Sequence, residues 1–272
     1  MQTAKAIKQF YENKLFSSKD LTSKVFQLGK NDLHLWCTVR KKINNIDLPQ
    51  FYKHLCEVER LRAERYHFAD DQRHFIFRHG LLRILLSSYL NIEPSEVQIN
   101  HNENGKPFLG NIQGKDTIQF NLSHSKGMVL VAFIRGRRIG VDIELMQPMK
   151  DMDAIVKDFF SATEQAAYKR LPMSQRMEGF YNCWTRKEAF LKALGDGLSG
   201  GLDTFDVSLK PGETPKLLSM DWASEEASRW SLNAFVPFSG YMAALAVEGH
   251  GLKPRHFHWK DGFTPKEVCK LS

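Results

Sequence analysis

Residues 128–145, MVLVAFIRGRRIGVDIEL, constrain the fold more than any other part of the chain. Two β-prone apolar runs flank Arg135-Gly136. The second alternates: Ile139, Val141, Ile143 and Leu145 fall on one face of a strand, and Gly140, Asp142 and Glu144 on the other. The turn residues predict an antiparallel hairpin of 128–134 with 138–145. Asp142 and Glu144 then lie roughly 7 Å apart on one face, where like charges repel. An edge strand with a wetted side accommodates that pattern, and so does a cation site. The strand by itself leaves both readings open.

With 272 residues, 42% of them hydrophobic, the chain can bury a core as one large domain or two half-size ones. Its net charge of +7 points to acidic partners: phosphorylated small molecules, nucleic acid, an anionic membrane surface or an acidic protein. Cys37, Cys56, Cys183 and Cys269 are widely spaced with no C-x-x-C pair, which argues against a zinc ribbon and a disulfide framework and predicts a cytoplasmic setting. Lysines interrupt the opening MQTAKAIKQF, and no apolar run nears the length of a membrane span, so a soluble protein without a membrane partner is expected.

The order of elements repeats. Residues 1–30 read as an N-terminal extension with weak helical periodicity around Ile7, Phe10 and Tyr11. A strand at LHLWCTV precedes helices over 55–67 and 71–90, the second ended by Pro94, and then the strands TIQFNL and MVLVAFI. In the second half, Ser161 with Glu164 three residues later forms a capping box. A longer helix, EGFYNCWTRKEAFLKAL, ends at Gly195, and TFDVSL and a hairpin of WSLNAFV with YMAALAV follow. Helix, strand, hairpin occurring twice predicts an α+β pseudo-dimer of two halves, 31–147 and 148–250, with a ligand cleft between them. Residues 251–272 read as a basic, aromatic tail, whose His256 and His258, like His250 just before it, are not taken as metal ligands.

Within the long helix, Phe180, Trp184 and Leu191 form an apolar stripe that also carries Glu188. A carboxylate on a core-facing stripe requires a cation or a basic partner. Lys192, one turn on, offers an intrahelical ion pair; Mg²⁺ shared with Asp142 and Glu144 offers a functional one. Ser123, His124 and Ser125 in FNLSHSKG are small donors that suit a phosphate or a turn cap. In NENGKPFL, the Asn104-Gly105 turn precedes Lys106 and Pro107. Arg62, Arg65, Arg73, His74 and Arg78 crowd the first two helices, as an anion cradle or a solvated face.

In this order, GKPFL, FNLSHS, GVDIE and WTRKEAFLKALGDGL resemble the successive motifs of the Sfp-type 4′-phosphopantetheinyl transferases, over roughly residues 55–210. The resemblance implies a pseudo-dimer with coenzyme A and Mg²⁺, or Mn²⁺, in the cleft. It implies Asp142, Glu144 and Glu188 as metal ligands, Ser123 and His124 at the phosphates, and Lys106-Pro107 beside the adenine. Arg73 or His74, with Arg62 or Arg65, would meet the 3′-phosphate, and Lys187 a phosphate. The implied reaction moves phosphopantetheine to a serine of an apo acyl or peptidyl carrier protein, releasing adenosine 3′,5′-bisphosphate. Glu188 would accept the serine proton and Lys192 stabilise the leaving phosphate. A monomer that binds no nucleic acid is expected. Two other readings stay open: a Mg²⁺-dependent phosphoryl or nucleotidyl transferase acting on nucleic acid, against which no nucleic-acid module is recognisable, and a non-catalytic carrier-protein binder.

Overall fold

Met128–Arg135 is buried on both faces along almost its whole length, and it has a strand neighbour on each side. In the computed structural model, which describes residues 14–16, 21, 25–39, 48–110, 117–195, 201–223 and 225–259, those neighbours are not the ones expected from the Arg135-Gly136 turn. In chain order the strands are β1 (Lys14–Phe16), β2 (Asp32–Val39), β3 (Ile99–His101), β4 (Pro107–Leu109), β5 (Ile118–Ser125), β6 (Met128–Arg135) and β7 (Ile139–Leu145). They continue as β8 (Phe205–Val207), β9 (Leu217–Met220), β10 (Trp230–Phe235), β11 (Tyr241–Glu248) and β12 (Lys253–Trp259). The helices are α1 (Leu48–Tyr52), α2 (Glu57–Glu64), α3 (Ala69–Leu90), α4 (Met152–Phe159), α5 (Ala162–Lys169) and α6 (Met173–Leu194).

The two main sheets run β1-β12-β2-β6-β5 and β10-β11-β7, and β3-β4 and β8-β9 form two-stranded sheets. The expected hairpin of 128–134 with 138–145 is therefore corrected. Strand β6 pairs with β2 and β5, and β7 pairs antiparallel with β11 in the second sheet. The real hairpin is β5–β6, closed at Lys126-Gly127, where both residues have positive φ, the backbone that a tight two-residue hairpin requires. After β6 the chain turns at Gly136, whose N–H bonds to Thr117 O, and crosses to the other half. The hairpin of β10 with β11 forms as its sequence predicts.

Three cores stack in sequence. Phe75, Phe77, Leu81 and Leu85 of α3 pack on one face of the first sheet with Trp36, Phe133 and Phe257. Phe180, Cys183 and Phe190 of α6 pack on one face of the second sheet with Leu232, Ala244 and Ala246. Between the sheets, Leu33, Leu35, Leu130 and Ala132 meet Val141, Ile143, Ala243 and Leu245. The layers are thus α3, sheet, sheet, α6: two α/β halves packed face to face, an α+β pseudo-dimer.

The sequence-based borders move at both ends. Residues 253–259, expected in the tail, form β12 inside the first sheet, parallel to β1 and β2. Leu21, Phe26 and Leu28, expected in the extension, are buried in the α3 core. The periodicity at Ile7, Phe10 and Tyr11 lies outside the described residues. Among the described residues no helix is long and apolar enough to cross a membrane.

Candidate active site

Glycine 140 sets the distance between β7 and α6. A β-carbon there would stand 2.1 Å from Ala189 O and 2.3 Å from Ala193 N, so only a residue without one lets the helix backbone lie on the strand. That contact fixes which side chains follow. Asp142 and Glu144, on the same strand face as Gly140, come to lie along α6 where Glu188 and Lys192 project. Ile139, Val141 and Ile143 point into the core between the sheets, as the alternation predicts.

Lys192 Nζ donates to Asp142 Oδ1 at 2.6 Å and to Ser123 Oγ at 3.1 Å. Ser123 Oγ donates to the same Asp142 oxygen at 2.9 Å, and Ser125 Oγ donates to Glu144 Oε2 at 2.7 Å. Of the two readings left open for Glu188, the ion pair within the helix does not form: Lys192 reaches across to β7 and bonds Asp142. Burial raises the Glu188 carboxyl above its ordinary range; Asp142 and Glu144 add to that, and Lys192 offsets it. Burial likewise raises Glu144, with the Ser125 bond opposing and Asp142 reinforcing. Asp142 is 2% exposed, and its Oδ2 is buried with no hydrogen-bond partner. Lys192 thus lies among all three acids, bonded to Asp142, and the charge of Lys126 also acts on Glu144.

Across the cleft, His124 leaves β5 on the face opposite Ser123 and Ser125 and accepts from Arg78 Nη1 of α3. Burial and then the charges of Arg78, Lys192, His74 and His79 push its pKa down to about 4. His74 and Arg78 sit one turn apart on α3. A neutral histidine among cations, with buried acids beyond Lys192, suits a polyphosphate with a cation on its far side.

Residues 138–246 match the 4′-phosphopantetheinyl transferase superfamily, and residues 44–134 match the family described as 4′-phosphopantetheinyl transferase, N-terminal. The 4′-phosphopantetheinyl transferase HetI of Nostoc sp. (strain PCC 7120) is 35% identical over 232 residues, covering 85% of this chain and 94% of its own. The chain belongs to the 4′-phosphopantetheinyl transferase family. The L-aminoadipate-semialdehyde dehydrogenase-phosphopantetheinyl transferase of Schizosaccharomyces pombe is 32% identical over 238 residues, covering 84% of this chain and 87% of its own. The 4′-phosphopantetheinyl transferase Sfp of Bacillus subtilis (strain 168) is 31% identical over 160 residues, or 59% and 69%. A 4′-phosphopantetheinyl transferase moves the phosphopantetheine arm of coenzyme A onto an apo carrier protein, and this chain is such an enzyme.

Not every predicted site residue of this transferase gathers in the cleft. Lys187 is 1% exposed, 2.8 Å from Glu164 Oε2, and donates to Leu202 O and Phe205 O. Its neighbours are core carbonyls and a buried acid, so its expected phosphate contact is corrected to a structural ion pair. Glu164 serves twice, capping α5 through Ser161 and accepting from Val207 N. Lys106 Nζ donates to Ala193 O at 2.8 Å and Ile139 O at 3.3 Å, so the turn before Pro107 docks on the end of α6. Arg62 and Arg65 are both exposed at the end of α2, and Arg62 lies over the Phe75 ring at 5.4 Å, near His101. Arg73 is half-buried on α3, one residue before His74.

Sequence reasoning missed three parts of the arrangement. Asn121 Oδ1 accepts from Val141 N at 2.9 Å, and its place two residues before Ser123 and four before Ser125, on the same strand face, is the available signal. Asn102 and Asn104 both donate to Gly195 O. Glu59, held down to about 2 by His79 and Arg83 against the opposing effect of burial, links α2 to α3, and Arg83 is itself 2% exposed.

Proposed function

We propose that Asp142, Glu144 and Glu188 hold a divalent cation, Mg²⁺ or Mn²⁺, against the pyrophosphate of coenzyme A, and that Glu188 takes the proton from the carrier serine. The observation that carries this reading is the buried, unpartnered Asp142 Oδ2 in a group of three acids of which only Asp142 has an ion pair among the described residues, with Lys192. Among the described residues no three such side chains converge as a preformed metal cage; Lys192 lies against Asp142 instead, and the donor set of three carboxylates fits a hard cation that keeps water and phosphate oxygens as its other ligands. Such an ion supplies neutralisation of the charge that develops on the pyrophosphate.

The side chains divide the remaining work. Glu188, raised by burial and by two neighbouring acids, is a stronger base than an exposed glutamate and suits removal of a hydroxyl proton. Lys192 moves from Asp142 to the leaving phosphate of adenosine 3′,5′-bisphosphate. Ser123, His124 and Arg78 meet the pyrophosphate, and Arg73 or His74, with Arg62 or Arg65, the 3′-phosphate. Lys106 and Pro107 lie by the adenine.

The protein acts as a cytoplasmic monomer on acyl or peptidyl carriers, with neither nucleic acid nor membrane as a partner. Both walls of the cleft come from one chain, which supports the monomer, and the free thiols of Cys37, Cys56 and Cys183 suit a reducing compartment. The test is incubation with coenzyme A, Mg²⁺ and a panel of apo carriers, read by intact mass. A phosphopantetheine gain on at least one carrier, lost in Asp142→Ala and Glu188→Gln at unchanged fold, supports the reading. Transfer at the wild-type rate by either variant overturns the metal assignment.

A further inference from the structure

The two sheets meet at the edge strands β5 and β7, and no backbone ladder joins them. Glu248 N donates to Arg138 O, which places the bonded β7–β11 pairs at the even-numbered positions of β7. Residues 139, 141, 143 and 145 therefore turn their N–H and C=O groups toward the open edge. Side chains of the other half take these groups one by one. Lys106 Nζ bonds Ile139 O, Asn121 Oδ1 accepts from Val141 N, and Ser125 Oγ accepts from Leu145 N at 3.2 Å. The same β5 face supplies Ser123 to Asp142 and Ser125 to Glu144. Two of the three acids thus hang on a strand whose position is read off the neighbouring half by side chains alone.

We propose that Asn121 is a positioning residue for the acidic site, holding Val141 N so that Asp142 and Glu144 meet Ser123 and Ser125 in register. Asn121 is 4% exposed and lies two residues from Ser123, on the joint rather than in the cleft. Its bond stands one residue before Asp142, between the Lys106 anchor at Ile139 and the Ser125 anchor at Leu145. Without it the middle of β7 keeps its pairing with β11 but has no fixed distance from β5. A side-chain ladder of this kind transmits small displacements to the carboxylates, because no second backbone neighbour resists them.

This inference rests on the divalent-cation reading, and the test separates the two. Mn²⁺ binding to the purified protein is measured by calorimetry alongside kcat, KM for coenzyme A, and urea unfolding. Asn182→Ala serves as the stability-matched control: Asn182 is also buried, with one side-chain bond to a carbonyl, Leu209 O, on the far face of α6. Asn121→Ala should weaken Mn²⁺ binding and lower kcat, each by roughly tenfold or more, with KM for coenzyme A within about twofold. Asn182→Ala should lose comparable stability and keep both. Asn121→Ser, with a shorter acceptor that a water can extend to Val141 N, should show the same changes at smaller size even if the alanine variant does not fold. Wild-type Mn²⁺ affinity and kcat in a folded Asn121 variant would make the residue merely structural and overturn the proposal. A wild-type protein that binds no Mn²⁺ overturns the cation reading first, and this inference with it.

Discussion

Gly140 lies directly under Ala189, so close that a β-carbon at position 140 would penetrate the helix backbone at three atoms: Ala189 O, Ala193 N and the Lys192 carbonyl carbon at 2.8 Å. None of these is the movable end of a side chain. Gly140→Ala must therefore push α6 off β7 and carry Glu188 and Lys192 away from Asp142. A destabilisation of about 3 kcal/mol is expected, with transfer reduced by two orders of magnitude or more in the protein that remains folded. Urea unfolding together with single-turnover transfer at low temperature checks both. A variant with normal turnover would show that the strand–helix spacing does not matter to the reaction.

Two lysines five residues apart on α6 should fail in opposite ways. Lys187→Met leaves Glu164 buried, still bonded to Val207 N and Ser161 N but without its cation; breaking a buried pair of this kind costs about 3–5 kcal/mol. Its expected result is a large loss of stability, with the transfer rate per folded molecule kept. Lys192→Met removes a side chain that is about a third exposed. Its expected result is a smaller loss of stability than in Lys187→Met, with loss of transfer, since Asp142 loses the ammonium bonded to it and the leaving phosphate loses its proposed partner. Denaturation midpoints and kcat measured on the same preparations decide, and equal behaviour of the two variants would sink the assignment.

The strand pattern of GVDIE was legible because alternation depends only on the chain itself, and Ile139, Val141 and Ile143 do enter the core. Its partner was not legible. The turn at Arg135-Gly136 looks like a hairpin, but β2 and β5 occupy both edges of β6, which leaves none for β7. In the same way, β12 reads as a tail because its place between β1 and β2 is a long-range pairing with no local signal. Lys187 and Lys192 were both read toward phosphate because charge alone does not show burial; the difference is which side of α6 each faces. Asn121 was hidden because its partner is a backbone N–H on the other half.

Acid should begin to destabilise the protein through its buried histidines. His34 is 1% exposed, accepts or donates at Nδ1 with the Tyr89 hydroxyl at 2.7 Å, and has no partner at Nε2; burial, aided by Arg255 and opposed by Asp32, lowers it from 6.5 to about 4. The neutral form is the folded form. Stability from this group is complete above about pH 6.5, declines as the unfolded chain takes up the proton first, and is lost as pH falls through about 4, a difference of about 3 kcal/mol. His256, lowered to about 4 chiefly by burial, acts in the same window. Urea midpoints measured from pH 7.5 to 4 should fall steeply below pH 6.5, and His34→Gln should flatten that slope while lowering stability at neutral pH. An unchanged slope in the variant would remove His34 from the account.

The hairpin of β3 and β4 should prove a clamp on the end of α6 as well as the proposed neighbour of the adenine. Asn102 Oδ1 shapes the turn by accepting from Asn104 N and Lys106 N, while Asn102 Nδ2 reaches Gly195 O at 2.6 Å, and Lys106 holds Ala193 O. These are the last carbonyls of α6, which ends at Gly195 with φ +76, and a lysine there also opposes the negative end of the helix dipole. Contact with adenine alone predicts that Lys106→Met raises KM for coenzyme A and leaves kcat unchanged. A clamp predicts a different pattern. Asn102→Ala, which removes both the turn bonds and the cap, should cost about 1–2 kcal/mol and lower kcat severalfold, and Lys106→Met should lower kcat in parallel with a rise in KM. Unfolding curves and full saturation kinetics on both variants separate the two patterns, and an Asn102→Ala enzyme with unaltered kcat would reduce the hairpin to a binding surface.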